Sequence, residues 1–248
     1  MRPGWYINGF LAYTLQGLLF WRGYRSGLWK RYPLFYAYLF YTTCWSVIQG
    51  IPSVLKHPSY PNVFWSSQLG AGILRFGVAA EVHRHVFPPA SKLRRPASAF
   101  VVGALLVMAL LYWALGASPA PSIVLDALRK IALSVAVWIL LVLGLAQYYG
   151  IRAGRNVWGM AVGLLIFMGS ELVHLAAMDM FPRLRTAWGY VHPITYVCML
   201  MIWTVALWNY GPNPRIVPLH ESESRELLSA WGQRWRSIAD ILRKVAKP

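Results

Sequence analysis

Between Trp5 and Tyr210 the chain repeats one pattern seven times: a long apolar stretch, then a short connection rich in Pro, Gly or basic residues. Crossing the hydrocarbon of a bilayer as a helix takes about 17–25 apolar residues. The segments that meet this requirement are Trp5–Trp21, Pro33–Pro52, Asn62–Phe87, Ala97–Gly116, Ile123–Tyr149, Asn156–Phe181 and Trp188–Tyr210. Backbone N–H and C=O groups find no water in hydrocarbon, so such segments must satisfy them internally as helices. The pattern therefore predicts an all-α integral membrane protein, a seven-transmembrane-helix bundle over residues 1–210 followed by a basic amphipathic tail over 211–248. Arg2 precedes the first segment, and no small-residue cleavage site closes it, so that segment is read as a retained span and not a signal peptide.

Composition supports the same class. Only 13% of the 248 residues are charged and 57% are hydrophobic, where a soluble domain carries about 25% charged residues. Thirteen Trp and fourteen Tyr suit headgroup depth, where amphipathic rings gather. The net charge of +16 comes from residues dispersed between apolar segments instead of one patch, which argues against nucleic acid as a partner. Cys44 and Cys198 both lie inside apolar segments, at a spacing that suits neither a disulfide framework nor a metal knuckle.

Lys and Arg are retained on the cytoplasmic side of short loops. Arg22, Arg25, Lys30 and Arg31 occupy the first connection, Arg84, Lys92, Arg94 and Arg95 flank the third, and Arg152 and Arg155 lie in the fifth. The opposite connections hold Lys56, Arg183 and Arg185, with Arg129 and Lys130 a turn inside the fifth segment. This alternation predicts an outside N-terminus, a cytoplasmic C-terminus and a multi-pass protein of the cytoplasmic (inner) membrane. The connections are too short to hold a separate domain.

After the breaker run Gly211, Pro212, Asn213 and Pro214, apolar residues recur at Leu228, Trp231, Trp235, Ile238, Leu242 and Val245, one face of a helix. Arg234, Arg236, Arg243 and Lys244 supply the basic character of the remainder. The tail is read as a membrane-interface helix on anionic headgroups of the lipid bilayer. The competing reading is a dimerising helix, whose partner is a membrane protein or a second copy of the chain.

Charges inside apolar segments are the functional signal, because a carboxylate at mid-bilayer costs roughly 2.5–3.5 kcal/mol or more unless compensated. The helical rise places Arg75 and Glu171 at matching depth on the third and sixth segments, which predicts an intramembrane ion pair. A second group, Glu171, His174, His192, Asp179 and Asp126, falls toward the outer half and forms the candidate ligand or proton site. Glu171 and His174 share a helical face. With His192 they are the only candidates for a metal, but di-iron bundles use paired Glu-x-x-His motifs and this chain has one, so neither metal nor cofactor is expected. Glu81, His83 and His85 form a third cluster at the cytoplasmic end, where Glu81 and His85 are spaced to pair.

The last segment has no lysine to carry a retinal Schiff base, and His192 is followed at +4 by Tyr196 instead of a second histidine. No nucleotide loop, Ser/His/Asp order or HExxH spacing occurs. Helix count and topology are similar to the seven-helix input modules of bacterial sensor proteins. The expectation is a non-enzymatic sensor, receptor-like or accessory subunit. A small-solute or proton-linked transporter and a membrane-embedded metal-dependent enzyme are the alternatives.

Overall fold

The computed structural model describes residues 3–49, 60–88, 93–114, 123–180 and 185–211. The chain divides into two units, Met1–Pro214 and Arg215–Pro248, and the described helices all belong to the first. The tail positions Trp231, Trp235, Arg234, Arg236, Arg243 and Lys244 lie outside the described residues.

Among the described residues the chain is all-helical, with eight α-helices: α1 (Pro3–Ser26), α2 (Leu28–Arg31), α3 (Pro33–Gln49), α4 (Tyr60–Val86), α5 (Arg94–Ala114), α6 (Ile123–Tyr148), α7 (Arg155–Met180) and α8 (Arg185–Leu207). Two stretches are long and apolar enough to cross a membrane by length and composition, Asp126–Tyr148 and Arg155–Ala176, while Val191–Leu207 is a shorter apolar stretch. The other helices mix apolar residues with Tyr, Trp and, in α4, the cluster Glu81, His83, Arg84 and His85. Phenol and indole groups are apolar in area but carry polar tips, which lowers the hydropathy of α1 and α3 without making their faces hydrophilic.

Local chemistry sets the helix ends. Gly27 adopts a left-handed conformation at φ 68°, which separates α1 from the single turn of α2. Gly150 does the same after α6 at φ 65°. There the amide of Ile151 reaches the carbonyl of Ala146 at 2.7 Å and that of Gly150 reaches Gln147 at 3.1 Å, an arrangement that satisfies carbonyls the helix end would orphan.

The order around the bundle is α1, α3, α4, α6, α7, α8 and back to α1; α4 also touches α7 across the middle and α5 packs on α6. Side-chain pairs give the directions. Asn156 bonds the Ala206 carbonyl and Ser170 pairs with Thr195, so α7 and α8 are antiparallel. Tyr13 donates to Ser46 at one end of α1 while Gly23 lies against Tyr36 toward the other, so α1 and α3 are antiparallel too. By contrast Gln16 meets Tyr196 and Arg22 meets Asn209, so α1 and α8 run together.

Trp203 closes the centre. It is fully buried, donates its indole N–H to the Met160 carbonyl at 3.2 Å, and meets Phe35 edge-on with ring centroids 4.7 Å apart. The outer surface is also apolar: Phe10, Phe40, Ile73, Leu106, Leu140, Val173 and Val205, one from each of the longer helices, are all more than half exposed.

Candidate functional site

Arg75 and Glu171 face each other from the middle turns of α4 and α7. Nη1 of Arg75 donates to both carboxylate oxygens, at 2.7 and 3.0 Å, and the two side chains are 5% and 8% exposed. At this depth the charges are shielded from solvent, and removal of either partner would strand the other. Phe167, one turn before Glu171, lies under the guanidinium with 5.1 Å from Cζ to the ring centroid, a cation–π contact that adds to the pair.

The same phenylalanine organises a wider polar group. Its ring is 5.2 Å from His192 and 5.5 Å from Tyr196, both on α8. His192 stacks on His174 of α7 at 5.2 Å with the planes 21° apart. Gln16 of α1 donates to the Tyr196 hydroxyl at 2.7 Å. Tyr38 of α3, wholly buried, brings its hydroxyl beside Arg75. Five long helices thus meet at one polar core in which the two charges of Arg75 and Glu171 cancel.

Glu171, His174 and His192 are therefore adjacent. The carboxylate of Asp126, at the start of α6, binds Lys130 one turn on at 2.6 Å, a local i,i+4 pair. Asp179 is on α7, with its side chain outside the described residues. No group of three or more metal-ligating side chains occurs among the described residues. Sequence reasoning missed Gln16, Tyr38, Phe167 and Tyr196. The only available signal was that Gln16 is an amide inside an apolar stretch.

Glu81, His83 and His85 do other work. The carboxylate of Glu81 accepts the backbone amides of Phe35 at 2.8 Å and Leu34 at 3.3 Å. It caps the start of α3, where Pro33 has no N–H and the amides of the residues after it have no partner in their own helix. His85 Nδ1 bonds the Glu81 backbone carbonyl at 2.8 Å, while the Glu81 carboxylate points across to the other helix. His83 bridges three helices, with Nε2 2.9 Å from the Ser98 hydroxyl and Nδ1 accepting from the Trp138 indole at 3.4 Å.

This end of the bundle is basic and aromatic. Arg31 lies over Tyr210 at 3.9 Å, Arg25 over Trp21 at 5.1 Å and Lys30 over Trp29 at 5.5 Å. Arg22 binds the Trp208 carbonyl and Asn209, and Arg155 donates to the Val205 carbonyl at 2.7 Å, placing cations on the carbonyl-rich C-terminus of α8. Burial, with Tyr210 beside it, pushes the Tyr32 hydroxyl in this region up to about 12, so it stays protonated at neutral pH.

The chain matches no protein-family model, no curated protein and no solved structure.

Proposed function

We propose that the chain is a multi-pass membrane protein of a bacterial-type cytoplasmic membrane, with seven spans, an outside N-terminus and the basic loops inside. It acts without catalysis, as a sensor, receptor-like or accessory subunit whose ligand or proton site is the core around Arg75, Glu171, His174 and His192. One observation carries this reading. An almost completely buried ion pair sits among polar groups in the centre of a bundle whose outer faces are apolar. Ionisable groups at such depth mark functional sites in membrane bundles. The gathering of Arg22, Arg25, Lys30, Arg31 and Arg155 at one end supports the orientation.

The test is extraction of the full chain in mild detergent, mass spectrometry of whatever copurifies, and a thermal-shift screen with small polar molecules and pH. A ligand or pH step that moves the midpoint in the wild type, and moves it much less in His192→Ala, is the expected result. A midpoint indifferent to every condition sinks the sensor reading. A second reading has its own support: Pro193 lies inside α8 directly after His192 and removes a rung of that helix beside the core, as in helices interrupted around transported substrates. Proton or solute flux into vesicles containing the chain, absent in Glu171→Gln, would select transport instead.

A further inference from the structure

Several polar atoms in the core have no hydrogen-bond partner within the protein among the described residues. They are Gln16 Oε1, the Tyr38 hydroxyl, Arg75 Nε, His174 Nδ1 and His192 Nδ1. Their residues come from α1, α3, α4, α7 and α8, yet they are close together. Tyr38 adjoins Arg75, Arg75 and His192 both contact the Phe167 ring, and His174 stacks on His192. Gln16 joins them through Tyr196, whose ring meets the same phenylalanine. Gln16, Tyr38 and Arg75 are 1%, 0% and 4% exposed, so bulk solvent does not serve them.

Buried polar groups are almost always hydrogen-bonded, and leaving this many unpaired would cost a sum comparable with the whole stability of an ordinary domain. The missing partner must be uncharged, since Arg75 and Glu171 neutralise each other. It must also donate and accept: Arg75 Nε–H offers a proton, Gln16 Oε1 wants one, and the Tyr38 hydroxyl can do either. Water meets all three demands, and buried water typically makes about three such bonds. We infer that the core around the Arg75–Glu171 pair is a built water site, in which bound molecules join Gln16 and Tyr38 through the ion pair to His192 and His174. A chain of exchangeable protons then links α1 to the imidazoles of α7 and α8. This inference is independent of the sensor reading, because a hydrated core serves structure, sensing or transport alike.

Two measurements on the full chain in detergent test it. Radiolytic labelling in 18O-enriched water oxidises side chains next to bound water. Tyr38, Phe167 and Tyr196 are expected to be labelled at rates near that of Tyr24, which is 79% exposed. Labelling of Tyr24 with none at the three core rings overturns the proposal. The variant Tyr38→Phe reads the same question by sign. A hydroxyl held by water and by the adjoining Arg75 is expected to lower the midpoint of thermal unfolding when removed, whereas a dry orphan raises it when removed. A rise overturns the proposal. So does an organic molecule found in stoichiometric amount in the purified protein and lost from it in Tyr38→Phe.

Discussion

Arg75 is held by Glu171 and Phe167, and its removal leaves a carboxylate buried without a counter-ion. Breaking a buried pair from one side costs about 3–5 kcal/mol, whereas exchanging both members for apolar residues is often neutral. Arg75→Leu and Glu171→Leu are each expected to lose that much in denaturant unfolding, with the double variant closer to wild type than either single. A double variant as unstable as the sum would mean that the two residues act separately. Glu81→Ala strips the α3 amides of their acceptor and is expected to cost about 1–3 kcal/mol in the same measurement, while Glu81→Gln, which keeps one acceptor oxygen, costs less. The sequence made the first pair legible because two opposite charges in apolar stretches must meet something, and helical rise set their depth. It did not disclose the Glu81 cap, whose recipient lies 46 residues away on another helix. Tyr38 carries no charge, so nothing distinguished it from an interfacial residue, and Gln16 offered only its amide inside an apolar stretch.

Helix positions were readable from the apolar segments, because each is bounded by Gly, Pro or charge; what those helices touch was not. Gly159 and Gly163 have the spacing of a close-approach motif, and α4 carries glycines of its own at Gly70, Gly72 and Gly77. The two sets do not meet. In the structure a Cβ at Gly159 would run into Ala206 and one at Gly163 into Trp203, both on α8. On α4, Gly70 receives Tyr41 and Gly77 receives Leu34, both on α3, while Gly72 lies against Ile131 of α6. A small residue reports that something comes near, and its partner depends on how every other helix packs. Gly163→Ala is therefore expected to destabilise by about 1–3 kcal/mol through overpacking against the Trp203 indole. Gly144→Ala, which meets open space, is expected to be neutral or to stabilise by up to about 1 kcal/mol by helix propensity. Parallel thermal unfolding of the two variants checks the contrast, and equal effects would refute the contact assigned to Gly163.

At the scale of the whole molecule the distribution of charge and apolar surface makes the strongest demand. The apolar residues exposed on each longer helix would be a severe liability in water, since soluble proteins rarely present contiguous apolar surface beyond a few hundred Å². Lipid removes that liability. Length and composition alone identify two helices, because Tyr, Trp and the Glu81–His85 cluster dilute the hydropathy of others whose outer faces are still apolar. Seven spans and two spans differ in where they put the connections. If seven helices cross, reporter fusions or single cysteines placed near positions 27, 90 and 152 report the cytoplasmic side. Those near 56, 119 and 184 report the other, and the protein resists extraction by alkaline carbonate. If only α6 and α7 cross, 27, 56 and 90 share one side with one another and with 184, and only 152 lies across the membrane from them. The alternation of basic residues favours the first pattern. In the second, Lys56 and the Arg22–Arg31 stretch would face the same compartment, and the concentration of basic residues in one connection but not the other would have no cause. Replacing Arg22, Arg25, Lys30 and Arg31 together by Gln weakens that retention signal, and is expected to yield a mixed population at position 27 while 152 stays in place.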